Sequence, residues 1–332
     1  MLKQDLKTVF ENFNSLNILI IGDVMVDSYL WGKAERISPE APVPIVAVKD
    51  RQQRLGGAAN VALNIQALGA KAILCSVVGT DTKGCEFQDI LKENGLTSFG
   101  IVSSNDRITT TKFRIIAGNH QMLRVDEETD LPLNTNETAL FLKRIEEIIQ
   151  NQNIDAVVFE DYDKGVITEE VIQRTTALTI QRNIPTVVDP KHRNFEFYKN
   201  VTLFKPNLKE LKEGLKLADF EVNIESLNRA SEKLFTKLNN DITLVTLSEL
   251  GVFIANNKTK ECKLIPAHIR NIADVSGAGD TVISVVALLL ASKVDEFTTA
   301  SVSNLAGGLV CEHVGVVSID KNKLLCEAEK QF

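Results

Sequence analysis

The feature that most restricts how this 332-residue chain folds is a repeated alternation of short, unbroken apolar runs with longer segments of helical period. Asn17-Ile-Leu-Ile-Ile-Gly-Asp23, Lys71–Val78, Ala156–Glu160, Thr186–Asp189, Val201–Phe204 and Thr243–Thr246 lack the apolar/polar alternation of a sheet with one wet face. Each therefore reads as a strand buried on both faces. Helices are expected over 136–150, 168–182, 207–214, 224–238, 277–291 and 295–311, with Gly251–Ala255 and Lys260–Ile265 as an antiparallel pair at one edge. This rhythm requires an α/β fold: a mostly parallel central sheet covered by helices on both faces.

Two stretches depart from the rhythm. Between Val24 and Asp50 three prolines (Pro39, Pro42, Pro44) forbid a helix, while Tyr29–Trp31 and Pro44–Val48 suit short strands. Thr109–Ile116 and Gln121–Val125 flank Gly118-Asn-His120, a hairpin signal. Together they predict a small separate sheet, a lid formed by about 29–48 and 101–125 and inserted in one domain spanning 1–332. Its exposed apolar edge needs cover, so a homodimer formed through the lid is expected. Upstream, residues 1–15 suit a short amphipathic helix with Leu2, Leu6, Val9 and Phe10 on one face. Near residue 55, Arg54-Leu-Gly-Gly-Ala-Ala-Asn60 enters a helix through a Gly-Gly pair and places Asn60 in its first turn.

A net charge of −7 argues against general nucleic-acid or membrane-surface binding, and any anion bound is small and specific. Five scattered cysteines without a C-x-x-C pair fit a reducing cytoplasm and read as small buried hydrophobes. Met1–Asn17 lacks the architecture of a signal peptide, and the longest apolar run, Val282–Ala291, is half of what a membrane span needs.

Ligands of open α/β sheets bind beyond the carboxyl ends of the strands. Polar residues gather there: Asp23 and Asp27; Glu160, Asp161 and Asp163; Asp189 and Lys191; Lys205 and Asn207; Thr246 and Ser248. The most informative stretch is Asp274-Val-Ser-Gly-Ala-Gly-Asp-Thr-Val-Ile283, a glycine-rich turn opening an apolar helix. Gly277 and Gly279 leave backbone N–H groups free to converge on a phosphoryl oxygen at the positive end of the helix dipole. A carboxylate at Asp280 is repelled by such a phosphate, which makes sense for a base that deprotonates an attacking hydroxyl. Taken alone, Asp280 fits a helix cap equally well.

Gly56-Gly57 with Asn60, Asn207-x-x-Glu210, Thr246-Leu-Ser-Glu-Leu-Gly251 and Asp274–Thr281 occur in the order seen in the ribokinase-like (PfkB) carbohydrate kinases, which the chain resembles from about Asn17 to Ile319. Ile21–Asp27, Arg36–Pro44, Gly56–Ala62, Asp161-Tyr-Asp-Lys-Gly165 and Asp189-Pro-Lys191 narrow the resemblance to kinases acting on C1 of D-glycero-β-D-manno-heptose 7-phosphate. One departure is Ser276, where many of these enzymes have Thr; the hydroxyl is retained.

The resemblance implies a ribokinase-like three-layer α/β/α fold and ATP-dependent formation of the heptose 1,7-bisphosphate, a step toward ADP-heptose and the lipopolysaccharide core. It makes Asp280 the base, with the N–H groups of Gly277, Ala278 and Gly279 stabilising the phosphoryl group in flight. Asn207 and Glu210 would organise Mg²⁺ through water; Lys205, Thr246, Ser248, Gly251 and Asn304 would border the nucleotide. Asp27, Gly56, Gly57 and Asn60 would hold the sugar. For the substrate's phosphate the candidates are Arg36, Arg54, Lys112, Arg114, Arg124 and Lys191. A monovalent cation is a further candidate cofactor. Because many of these kinases carry a fused nucleotidyltransferase, the chain looks like the stand-alone form, with a separate partner for that step. Two alternatives stand beside this: another PfkB-type sugar or sugar-phosphate kinase, and a non-catalytic sugar- or nucleotide-binding regulator.

Overall fold

The chain enters through α1 (Leu6–Asn12), a 3-10 turn and β1 (Asn17–Gly22), in a computed structural model that describes residues 5–118, 120–268 and 270–331. It then leaves the main body as a hairpin, β2 (Val24–Ile37) and β3 (Pro44–Gly57), and returns as α2 (Ala58–Ala67). After β4 (Lys71–Gly79), α3 (Thr82–Glu93) and β5 (Ile101–Ser104) comes a second excursion, β6 (Thr111–Ala117) and β7 (His120–Glu127). Regular alternation follows: α4 (Thr135–Asn151), β8 (Ala156–Glu160), α5 (Glu169–Gln181), β9 (Thr186–Asp189), β10 (Leu203–Phe204), α6 (Leu208–Gly214), α7 (Ile224–Leu238) and β11 (Ile242–Thr246). The edge pair β12 (Val252–Asn256) and β13 (Glu261–Ile265) precedes α8 (Ala278–Ala291), α9 (Glu296–Val310) and α10 (Lys321–Glu329).

The large sheet has the order β13-β12-β11-β10-β9-β8-β1-β4-β5 and is parallel except for β12 and β13. Side chains alternate across it. Ile18, Ile20, Ala156, Val158, Val187 and Leu203 face one core with α2, α8 and α9, whereas Leu19, Ile21, Val157, Phe159, Val188 and Phe204 face the other with α4, α5 and α7. Three α/β/α layers result. Every residue of α8 from Asp280 to Leu289 is buried, as its largely apolar sequence requires. From β1 the chain runs outward to β4 and β5, then jumps back to β8 and proceeds the opposite way. The carboxyl ends of β1 and β8 therefore flank a topological switch point, where such sheets bind ligands.

The smaller sheet has the order β3-β2-β6-β7, with β2 and β6 parallel and the outer pairs antiparallel. Its root is fixed by the two glycines. Gly57 adopts φ 61° and a Cβ there would lie 2.4 Å from the Asp23 carbonyl oxygen; a Cβ at Gly56 would lie 2.6 Å from an Asp27 carboxylate oxygen.

Several expectations are corrected. The strands foreseen at Tyr29–Trp31 and Pro44–Val48 are parts of two 14-residue strands, because antiparallel pairing continues past the polar residues Asp50–Arg54. Residues 101–104, assigned to the lid, form β5 at the edge of the large sheet beside β4. The last helix is α10 rather than the segment ending near 311. Cys85 and Cys326 are exposed, so only Cys75 and Cys311 are buried as expected of all five. Leu2 of the expected N-terminal helix and Asn119 of the Gly118-Asn-His120 signal lie outside the described residues. Among those residues no helix is long and apolar enough to cross a membrane.

Candidate active site

Asp280 occupies the first turn of α8, yet caps nothing. Its N-cap is Gly277 at φ 79°, without a side-chain cap. The Asp280 carboxylate instead accepts hydrogen bonds from Asn60 Nδ2 at 2.7 Å and from the Tyr162 hydroxyl at 2.9 Å. Asn60 comes from the first turn of α2, and Tyr162 from the loop after β8, so three segments distant in sequence meet on one carboxylate. Burial pushes the Asp280 pKa up to about 6, against the lowering effect of those two donors. That places a base near its working range.

The glycine-rich turn that opens α8 is set by the preceding loop. Asp274 accepts from the backbone N–H of Ser276 and of Gly315, both at 2.9 Å. The N–H groups of Gly279 and Asp280 have no partner among the described residues, as the first turn of a helix requires unless a ligand supplies one. A Cβ built on Gly279 would lie 3.7 Å from Asp189 Oδ2 and 3.9 Å from Lys205 Nζ. The turn thus rests on an ion pair, Lys205 Nζ to Asp189 Oδ2 at 2.7 Å, in which both side chains are almost wholly buried. Next to it Lys191 contacts Glu210 at 2.5 Å.

Asn207 and Glu210 cap α6 reciprocally: Glu210 N–H donates to Asn207 Oδ1 at 2.9 Å, and Asn207 N–H donates to Glu210 Oε2 at 2.8 Å. A parallel bridge sets Asn207 beside Thr246, and Thr246 and Ser248 border the same open cleft of about 910 Å³ as Asn207. Gly251, at φ 93°, packs against the backbone of Ile265–Ala267, and Asn304 Nδ2 donates to the Pro266 carbonyl at 2.9 Å.

On the smaller sheet, Arg114 pairs with the buried Asp27. The guanidinium groups of Arg54 and Arg114 lie 5.0 and 5.3 Å from the Tyr29 ring centroid. Lys112 and Lys191 lie 6.0 and 5.4 Å from that of Tyr162. Four of the six foreseen basic residues thus surround two tyrosines, one of them bonded to Asp280. The other two stand apart: Arg36 is exposed near the far end of β2, and Arg124 is exposed and pairs with Asp126.

Two acids foreseen at the strand ends organise backbone instead. Asp23 accepts from the N–H groups of Tyr162, Lys164 and Val166 at 2.8, 3.2 and 3.0 Å. Asp161 accepts from Asn194, Tyr198 and the Asp163 N–H, and burial together with the Asp23 charge pushes its pKa up to about 7. They shape the loop that delivers Tyr162. The sequence quoted Tyr162 within Asp161–Gly165 without giving it a role; an aromatic hydroxyl following a strand-end acid was the available signal.

A family model for pfkB carbohydrate kinases matches residues 15–322. The chain is 40% identical over 300 residues to the bifunctional protein HldE of Helicobacter pylori, covering 90% of this chain and 63% of the relative. To the bifunctional protein HldE of Koribacter versatilis it is 39% identical over 322 residues, covering 96% and 64%. It thus spans under two thirds of the length of these relatives. In fold it is similar to phosphofructokinase-2 from Escherichia coli in complex with fructose-6-phosphate, with a TM-score of 0.76 at 17% identity over 95% of this chain and 99% of that one. It is also similar to ribokinase from Arabidopsis thaliana complexed with ribose and ATP, with a TM-score of 0.72 at 16% identity over 95% and 98%. The chain belongs to the pfkB family of carbohydrate kinases.

Proposed function

We propose that this kinase transfers the γ-phosphoryl group of ATP to the C1 hydroxyl of D-glycero-β-D-manno-heptose 7-phosphate, giving the 1,7-bisphosphate that leads to ADP-heptose and the lipopolysaccharide core. The observation that carries the reading is the pairing of a buried, doubly hydrogen-bonded Asp280 with a half-buried basic group on the smaller sheet. A free sugar has no use for three cationic side chains, Arg54, Lys112 and Arg114, in a protein of net charge −7; a sugar already carrying a phosphate does.

In this mechanism Asp280 takes the proton of the attacking hydroxyl, and its elevated pKa makes it a stronger base than a surface carboxylate. Asn60 and Tyr162 hold the carboxylate in one orientation. The N–H groups of Gly277 and Gly279 stabilise charge on the transferred group, with Lys205 beneath them; the Ala278 N–H, expected to join them, is taken by the Val275 carbonyl at 3.3 Å. Asp27, Gly56, Gly57 and Asn60 receive the sugar. Arg54, Lys112 and Arg114 receive the 7-phosphate, under the smaller sheet acting as a lid.

Lys205, Thr246, Ser248, Gly251 and Asn304 border the nucleotide. Asn207 and Glu210 fit a hydrated Mg²⁺: both are hard oxygen groups, but both Glu210 oxygens are already engaged by Lys191 and the Asn207 N–H, so they meet the cation through its waters. The ion supplies charge neutralisation of the phosphates. Among the described residues no cluster of His, Cys, Asp and Glu forms a dedicated metal cage. A monovalent cation and a dimer through the smaller sheet complete the proposal.

The test is ATP turnover on heptose 7-phosphate, fructose 6-phosphate and ribose side by side. Heptose 7-phosphate should give the highest kcat/KM; preference for ribose sinks the assignment. Fructose 6-phosphate leading would keep the phosphate-binding role and change the sugar.

A further inference from the structure

One ionisable group in the site has no part in the mechanism above. Glu160 is the last residue of β8, fully buried, and its Oε2 has no hydrogen-bond partner. Its direction follows from strand alternation. Ala156 and Val158 face the α8 side of the large sheet, so Glu160 does as well. On the neighbouring strands Val187 and Leu203 face that side, which puts Asp189 and Lys205 there too. In β1 the corresponding position is Gly22, where a Cβ would lie 2.9 Å from Glu160 Cβ, so the glycine makes room for the acid. Gly22, Glu160, Asp189 and Lys205 thus form a row across the strand ends, and the first turn of α8 with Asp280 sits over it.

The charges in and around this row do not balance if every acid is ionised. Facing Glu160 are Asp189 on β9, Lys205 after β10, Lys191 after β9, Asp280 on α8 and the Tyr162 hydroxyl. Asp189 already consumes the Lys205 charge, and Glu210 that of Lys191. A third buried carboxylate without a donor or counter-ion is unfavourable; a buried carboxylic acid is not. Burial, then Asp189 and Asp280, all push the Glu160 carboxyl toward its neutral form.

We propose that Glu160 is a positioning residue that works as an uncharged acid on the floor of the phosphoryl site. In that form it fills the space between Gly22 and Asp189 without adding negative charge beneath the transferred group. When it ionises, it competes for Lys205 and repels both Asp280 and the phosphoryl oxygens. The protonated enzyme is the active one, and turnover falls on the alkaline side as Glu160 loses its proton. The inference rests on the phosphoryl group lying at the α8 N-terminus.

The experiment is kcat and KM against pH, from about 5 to about 9.5, for wild type, Glu160→Gln and Asp280→Asn with the best of the three sugars above. Wild type should show an alkaline fall in kcat that Glu160→Gln lacks, with KM for the sugar nearly unaffected; at the alkaline end the variant should exceed wild type. An alkaline limb that is the same in both proteins, or absent from wild type, overturns the proposal. So does a variant whose acid limb moves down by about a unit, since that shift would mean Glu160 had been charged. Should Glu160→Gln not fold, Glu160→Ser carries the same test. Full activity in Asp280→Asn would instead sink the assignment of the base, a separate failure.

Discussion

The two halves of the site are built on opposite terms. Under α8, Asp280, Asp189 and Lys205 are each less than a tenth exposed, held between strand ends and a helix buried from Asp280 to Leu289. Of the described charged side chains on the smaller sheet only Asp27 is buried; Arg54, Lys112 and Arg114 are half-buried, and Leu123 and Val125 of β7 are open to solvent. The first region keeps charges where their fields are strong and movement is costly. The second keeps them where water screens them and side chains can adjust. Phosphoryl transfer needs the former, and a choice among sugar phosphates is better served by the latter.

The largest expected effect lies under α8. Asp280→Asn should lower kcat by about 10²–10⁴-fold while nucleotide binding persists, measured by steady-state turnover and by calorimetric ATP titration. A loss below threefold would remove Asp280 from its role. In the same region Lys205→Met strands Asp189 without its partner and should cost about 3–5 kcal/mol of stability, read from urea unfolding.

On the smaller sheet the expected losses are milder and fall on binding. Arg54→Gln should raise KM for the sugar phosphate by about 10-fold, the worth of one charge-assisted hydrogen bond, with kcat nearly kept. Equal losses in kcat would erase the division drawn here.

A further contrast concerns stability. The Asp280 pKa is raised from 3.8 to about 6 in the folded protein, so between those values the folded state binds more proton than the unfolded one. The stabilisation is full below the unfolded value, declines as pH rises, and is lost above about 6. Asp280→Asn should therefore be more stable than wild type by about 1–2 kcal/mol at pH 8, after allowance for one imperfect hydrogen bond to Asn60 or Tyr162. Thermal melting of the pair checks this; a destabilised variant would show that the hydrogen bonds outweigh the buried charge. The smallest effect belongs to Arg36→Gln, exposed and without an ion-pair partner among the described residues, which should change KM by less than about twofold.

Much of this was legible in the chain. Apolar runs closed by polar residues determined the parallel sheet, because a strand covered on both faces has no room for alternation. The Gly277-Ala-Gly-Asp280 turn located the start of α8, since bare backbone and helix signals act locally. What local pattern could not carry was polarity shared between distant segments. Asp23 and Asp161, counted among the polar residues at the strand ends, organise a loop, while Tyr162, part of the Asp161–Gly165 motif, holds the Asp280 carboxylate. The long strands β2 and β3 were also hidden, because cross-strand pairing overrides the weak local preference of Asp50–Arg54.

Sequence alone therefore determined the layer architecture and the position of the glycine-rich turn that opens α8. Only the tertiary structure decided that Asp280 serves as a hydrogen-bonded buried carboxylate rather than a cap, and that Glu160, Asp189 and Lys205 stand in one row beneath it. The physical reason is range. Backbone dipoles and side-chain periodicity act within a few residues, whereas the charge state of a buried acid depends on which neighbours folding brings to it.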